Sequence, residues 1–125
     1  MEKQEAPLSP DQTDENGVDH IYANNISFEP SLWDLKLIFG QLDQHGGTPS
    51  VDWHTAATIP WLCAKIVSYY LQMNIAGYEA GNGKIRIPAE AIPPPIDPPS
   101  GDSEDEAAAI KFYEFAKKLH KDTFG

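Results

Sequence analysis

The middle of the chain contains two segments in which apolar and polar residues alternate, which is the periodicity of a β-strand. The first is "LWDLKLIFGQLD", which places Trp33, Leu35, Leu37 and Phe39 on one face. The second is "VDWHTAATIP", which places Val51, Trp53, Thr55, Ala57 and Ile59 on one face and Asp52 and His54 on the other. An earlier run, "IYANNISFE", alternates in the same way, and "QHGGTPS" is rich in turn-forming residues. The pattern therefore predicts three strands, the last two joined by a hairpin loop.

After the third strand, the spacing of the apolar residues changes from every second residue to about every 3.6 residues, which predicts a long helix. Thr58 supplies a capping hydroxyl and Pro60 suits a first helical turn, so we expect the helix to run from about Pro60 to Ala80. The sequence "GNG" then offers Gly81 or Gly83 as a left-handed C-cap.

Most of this helix is apolar, because its polar side chains form one narrow stripe of Lys65, Ser68, Gln72 and Glu79. A surface helix needs an apolar stripe only somewhat wider than 100° to cover a sheet. Because the apolar surface of this helix is wider than one sheet can cover, the helix is expected to bury a second side. Another copy of the chain is the simplest candidate for covering that side. We expect contacts between copies at Trp61, Tyr69, Tyr70 and Met73, with Trp61 as the leading anchor.

The segment that follows the long helix predicts a short fourth strand, "KIRIP", and then a proline-rich spacer. The C-terminal segment is amphipathic at helical spacing and places Ala108, Phe112, Phe115 and Leu119 on one face. This helix either docks on its own domain or uses Phe112, Phe115 and Leu119 to enter a groove of another protein. The spacer favours the second interpretation.

These elements predict an α+β fold, with an antiparallel sheet of three to four strands packed against one long helix and a proline-linked C-terminal amphipathic helix. The expected organisation is a disordered acidic N-terminus at 1–19, a β-β-β-α(-β) domain at 20–88, a proline-rich linker at 89–101 and the C-terminal helix at 102–125. A domain of this size buries only ~60% of its extended-chain surface, so it needs a metal, a disulfide or a partner.

The composition narrows the possible partners. The formal net charge is −10, and the one lysine cluster, Lys117, Lys118 and Lys121, lies at the C-terminal end, so we expect no nucleic-acid binding. No apolar run approaches the ~20 residues that span a bilayer, and the first residues do not resemble a signal peptide. The single cysteine, Cys63, excludes an internal disulfide and suits a reducing compartment, which predicts a cytoplasmic protein.

Three residues near the strand-to-helix corner raise the question of catalysis. Asp52 and His54 share a strand face, and Cys63, a possible nucleophile, falls in the first helical turn. A free cysteine is more often a small core residue, and the strand spacing makes a direct contact between Asp52 and His54 strained. We therefore predict no catalytic site.

Cofactor and metal sites are not predicted either. His20, His45, His54 and His120 lie in four separate segments without helical ligand spacing. Gly83 and Lys84 are followed by Ile85, where a phosphate-binding loop needs Ser or Thr, and they follow a helix instead of preceding one.

The stretch from Tyr22 to Pro88 resembles a family of short bacterial and archaeal proteins, the domain of unknown function numbered 3467. The matching pieces are "YANNISFEPSLWDLKLIFGQLD", "HTAATIPW", "AKIVSYYLQMNIAGYE" and "KIRIP". The resemblance implies no activity, cofactor or catalytic residue. The order of strands and helix is also similar to that of the export chaperone SecB, which is an analogy of fold alone.

The sequence thus predicts a non-enzymatic protein–protein interaction module, an adaptor or accessory subunit, that acts as a homo-oligomer, most simply a dimer, and has a protein partner for its C-terminal helix. A SecB-like holdase that binds unfolded polypeptides is the alternative. A cysteine-dependent or ligand-binding enzyme is less favoured than either.

Overall fold

The computed structural model describes residues 17–43, 45–101 and 105–125. The chain forms two compact units, with the boundary between Met73 and Asn74. The first unit contains a sheet of β1 (Asn25–Pro30), β2 (Asp34–Asp43) and β3 (Ser50–Pro60). A helix, α1 (Trp61–Asn82), follows β3 and crosses the boundary, and α2 (Glu106–Phe124) lies in the second unit. The α+β class, the three-stranded sheet and both helices are confirmed. The prediction of disorder at 1–19 lies almost entirely outside the described residues.

The sheet is antiparallel with the order β1-β2-β3, so β2 is its central strand. Directly paired residues point to the same face, and the residue pairs Phe28–Leu37 and Leu37–Ala57 therefore align three apolar side chains across the sheet. The same alternation defines the apolar sheet face, which consists of Ile26, Phe28, Pro30, Leu35, Leu37, Phe39, Thr55, Ala57 and Ile59. Beyond the bulge this side of the sheet continues into the polar residues Gln41, Asp43, Ser50 and Asp52. The opposite face is more polar and carries an ion pair between Lys36 and Glu29, with 3.5 Å between Nζ and Oε1.

A β-bulge interrupts the alternation of β3. Phe39 pairs with Thr55 but Gly40 pairs with Trp53, so His54 is the extra residue. Residues before the bulge consequently change face relative to those after it. The prediction that Val51 and Trp53 share a face with Thr55, Ala57 and Ile59 is therefore wrong, because strict period-two counting does not allow for an inserted residue.

The bulge places the Trp53 ring directly over Gly40, which is buried. A β-carbon added to Gly40 would lie 2.6 Å from Trp53 Cε3, 2.7 Å from Val51 Cγ1 and 2.9 Å from the Asp52 carbonyl oxygen. Only glycine leaves room for this approach of ring and backbone.

The corner between sheet and helix contains no loop. Pro60 is the last residue of β3 and pairs with Asp34, and Trp61 is the first residue of α1. Thr58 lies within β3, paired with Lys36, so its predicted role as a helix cap is wrong. At the other end, Gly83 has a φ of 88° and its N–H donates to the Glu79 carbonyl at 2.9 Å, which confirms the glycine C-cap.

The elements pack against one another less than the sequence predicts. Within the first unit, extensive contacts between elements occur only between the strands, and no residue of α1 is buried. Residues 84–88 form no strand in the structure, so the sheet has three strands rather than four. Many apolar side chains of α1 and of the sheet are thus exposed in the single chain.

Replacing Gly40 by alanine tests the Trp53 contact. We expect Gly40→Ala to lower the free energy of unfolding by about 1–3 kcal/mol, because the added methyl group displaces the Trp53 ring or the β3 backbone. Urea unfolding at fixed protein concentration measures this. Gly77→Ala is the matched control, since its methyl group meets no atom within 4 Å and should not destabilise the chain. Equal stability of Gly40→Ala and the natural protein would contradict the assignment.

Candidate interaction surfaces

The helix α1 carries the first candidate surface. Its large exposed side chains are Trp61, Leu62, Ile66, Val67, Tyr69, Tyr70, Leu71, Met73, Ile75 and Tyr78. The rings of Tyr69 and Tyr70 contact edge to face, with 5.2 Å between centroids. The predicted interaction residues Tyr69, Tyr70 and Met73 are therefore exposed on one stretch of helix.

Trp61, the predicted anchor, also has a role within the chain. Its Nε1–H donates to the Ser31 carbonyl at 3.0 Å, which ties the start of α1 to the turn between β1 and β2. The ring is still 43% exposed. Trp61 thus combines a fixed orientation with an accessible apolar surface, as an interface anchor requires.

The turn between β1 and β2 is a surface that sequence reasoning missed. Ser31 Oγ accepts from the N–H groups of Trp33 at 3.1 Å and Asp34 at 3.0 Å, and donates to Asp34 Oδ1 at 2.9 Å. This hydrogen-bonded turn leaves Leu32 81% and Trp33 79% exposed. The prediction that Trp33 belongs to the β2 face is wrong because β2 begins at Asp34. In the sequence, Pro30 followed by Ser31 and Asp34 is the pattern that indicates this turn.

The apolar sheet face forms a third surface. Ile26 and Phe28 on the edge strand are about half exposed, and Leu35, Leu37 and Phe39 on the central strand are only half-buried. The sheet is thus amphipathic, and the extensive contacts between elements of the first unit are those of its strands with one another. Such a face needs a cover, because exposed apolar area costs about 25 cal/mol per Å².

The C-terminal helix α2 carries the fourth surface. Its half-buried side chains are Ala109, Tyr113, Ala116, His120 and Phe124, which recur at helical spacing. Within the second unit, His120 Nε2–H donates to the Pro93 carbonyl at 2.7 Å. The predicted interaction residues Phe112, Phe115 and Leu119 lie on a different side of the helix and are 63%, 62% and 52% exposed. Contact with the proline-rich segment therefore leaves the predicted apolar face accessible.

The segment predicted as a fourth strand instead lines an open cleft of about 950 Å³ within the second unit. Lys84 and Arg86 contribute cations to its lining, and Thr123 and Phe124 close it from the end of α2. The Ile85 N–H donates to Glu79 Oε2 at 2.8 Å, which fixes the chain as it leaves α1.

The three residues considered for catalysis are not brought together. The His54 ring is engaged on both sides: Nε2–H donates to the Tyr22 carbonyl at 3.1 Å, so Nδ1 accepts from Thr55 Oγ1 at 2.8 Å. About 20 Å of strand separates His54 from the end of β3, and Cys63 lies beyond that end. A thiolate and its base must lie within hydrogen-bond reach, so His54 does not activate Cys63.

The described residues offer neither a metal site nor a membrane-spanning helix. No group of three or more potential ligands comes together within residues 17–43, 45–101 and 105–125. None of the helices in that part of the chain is both long and apolar enough to cross a bilayer.

Comparisons with protein-family models, with curated proteins and with solved structures found no match. The resemblance to the family of unknown function 3467 stays a hypothesis.

The reactivity of Cys63 tests whether the corner has any nucleophilic chemistry. We expect a thiol probe to label native Cys63 no faster than free cysteine, because His54 is too far away to take the thiol proton. The control is His54→Gln, which should leave the labelling rate unchanged. Labelling that is faster than free cysteine and slows in His54→Gln would show that the two residues cooperate.

Proposed function

We propose that this chain is a non-enzymatic protein–protein interaction module, an adaptor or accessory subunit that works as a homo-oligomer. The observation that carries the proposal is the exposure of α1, in which no residue is buried although ten large apolar and aromatic side chains project from it. Water-exposed surface of this kind and extent is typical of interfaces rather than of finished monomers.

The rigid hairpin turn supports the same role. Leu32 and Trp33 are held outward by hydrogen bonds of Ser31, so little conformational entropy is lost when a partner covers them. Trp61 is fixed to the same turn through its indole N–H. Tryptophans held in this way are enriched among the residues that dominate binding energy.

The partner-binding element in this proposal is α2. Phe112, Phe115 and Leu119 form its exposed apolar face, and Lys111 and Lys118 border that face at helical spacing. The fitting partner is a protein with an apolar groove that has acidic side chains on its rim. The helix enters this groove through residues at i, i+3 and i+7, as other groove-binding helices do.

A SecB-like holdase is the second candidate, and the continuous apolar sheet face favours it. Ile26, Phe28 and Leu37 lie next to one another across β1 and β2, so an extended unfolded polypeptide finds a broad apolar surface there. The two candidates differ in what they bind: a holdase binds many clients, whereas an adaptor binds a defined partner.

We place this role in the cytoplasm, because the one thiol of the chain suits a reducing compartment. The net charge of −10 opposes nucleic-acid binding.

The double variant Phe112→Ser/Phe115→Ser tests the role of α2. We expect the full chain carrying it to lose captured partner at least about thirtyfold relative to the natural chain, the loss that corresponds to about 2 kcal/mol at hot-spot residues. Quantitative affinity capture from native lysate measures the loss, and circular dichroism checks that the helices persist. Glu114→Gln lies on the same helical turn but off the apolar face, so it should retain the partner.

Equal capture by the natural chain and the double variant would contradict the role of α2. Suppression of aggregation of a model client at near-stoichiometric ratio, unaffected by Phe112→Ser/Phe115→Ser, would favour the holdase instead.

A further inference from the structure

The outer side of β3 is a long strand edge. In the described sheet β3 has 11 residues and pairs with β2 alone, whereas β1, at the opposite edge, has 6 residues. Residues 55–59 of β3 form a regular segment between the bulge and the proline that ends the strand. Ala56, Ala57 and Thr58, at the centre of this segment, are exposed.

This segment lacks the features that normally protect an edge strand from pairing with another chain. Those features are charged side chains, proline, a bulge or a very short strand. Residues 55–59 read "TAATI", which contains neither a charge nor a proline, and the bulge lies before them. The opposite edge is the short strand β1, which ends in Glu29 and Pro30. The sheet is therefore open to further pairing at β3 and protected at β1.

The hydrogen-bond pattern of the sheet shows which backbone groups of β3 point outward. The Ser31 N–H donates to the Asp34 carbonyl at 2.8 Å, so the backbone groups of Asp34 point towards β1. Its partner in β3 is Pro60, whose carbonyl consequently points away from β2. Because alternate residues of a strand direct their backbone groups to opposite sides, the N–H and C=O groups of Thr58 and Ala56 also point outward.

We propose that β3 of one copy pairs antiparallel with β3 of a second copy, so that two three-stranded sheets join into one sheet of six strands. Ala57 lies on the two-fold axis, and the outward backbone groups of Ala56 bond with those of Thr58 of the second copy. The pairing rests on the self-association in the proposed function and identifies the strand that carries it. It is isologous, because the same edge meets itself, and it therefore closes as a dimer.

The second copy fits this edge because the segment is complementary to itself. The register centred on Ala57 pairs all of residues 55–59 and stops at the bulge and at the terminal proline. The two Ala57 side chains meet at a non-hydrogen-bonded pair, where strands approach most closely, and their methyl groups are small enough to fit. Thr55 opposes Ile59 of the second copy, and both are β-branched residues that suit a strand.

Charge permits two copies of this acidic chain to meet here. The chain has a net charge of −10, but residues 55–59 carry no charged side chain. Electrostatic repulsion is therefore weak along the line where the strands join. Thr55, Ala57 and Ile59 point to the apolar sheet face, so the pairing also joins the apolar faces of the two copies into one surface.

Amide hydrogen exchange of the natural full chain, read by nuclear magnetic resonance, tests the pairing. We expect the Ala56 and Thr58 amides to exchange at least about a hundredfold more slowly than the Phe28 amide, because their protons are bonded across the dimer. Phe28 is the matched control, since it pairs with Leu37 and its own amide points outward from the opposite edge.

The same sample also separates this inference from the broader role. Ala56 and Thr58 amides that exchange as fast as that of Phe28, in a chain that light scattering shows to be dimeric, would overturn the β3 pairing and leave the self-association intact. A monomeric chain with fast exchange at both positions would overturn the pairing and the self-association together.

Disulfide trapping tests the register. In full chains that carry Cys63→Ser, the substitution Ala57→Cys places two thiols on strands whose Cα atoms are about 4.5 Å apart, within the range of a disulfide. The control is Ala56→Cys, because its Cα atoms lie about 8 Å apart in this register, beyond that range. We expect mild oxidation to yield covalent dimer at least about tenfold faster from Ala57→Cys than from Ala56→Cys.

Equal rates from the two variants, or a faster reaction of Ala56→Cys, would overturn the pairing centred on Ala57. Circular dichroism checks that both variants keep the fold of the natural chain. The exchange measurement uses no substitution, so it decides the question of β3 pairing even where a cysteine variant does not fold.

Discussion

The direct passage of β3 into α1 is the constraint on which the rest of the structure depends. Because Pro60 completes the sheet and Trp61 begins the helix, the chain has no residues with which to turn α1 back over β2. No residue of α1 is buried, and Ile26 and Phe28 of the apolar sheet face are about half exposed. Small domains need a compact core or a partner to offset the conformational entropy of folding, and this requirement underlies the self-association that we propose.

Local contacts hold both the strand β3 and the corner at its end. The bulge at His54 turns the Trp53 ring onto Gly40, and the His54 ring is held by Thr55 and by the Tyr22 carbonyl. The Trp61 indole is anchored on Ser31. His54, which raised the question of catalysis, and the neighbouring tryptophans Trp53 and Trp61 therefore have structural roles in a strand that bulges and then becomes a helix.

The sequence predicted the order and type of the elements, because period-two and period-3.6 patterns report directly which side of an element is apolar. It also predicted a glycine C-cap, which the left-handed conformation of Gly83 explains. It did not predict the bulge, since an inserted residue leaves the alternation of Trp53 and Thr55 unchanged in the sequence. The turn at Trp33 was missed for a related reason, because one apolar residue before a strand extends the alternating pattern without belonging to it.

The sequence pattern also did not predict which surface α1 packs against. An apolar stripe shows that a helix needs a cover but not which chain provides it. The most direct measurement is the molar mass of the natural full chain by multi-angle light scattering over a range of concentrations. We expect at least twice the chain mass of 13.8 kDa, with dissociation only on dilution. A strictly monomeric mass at all concentrations would contradict the central claim.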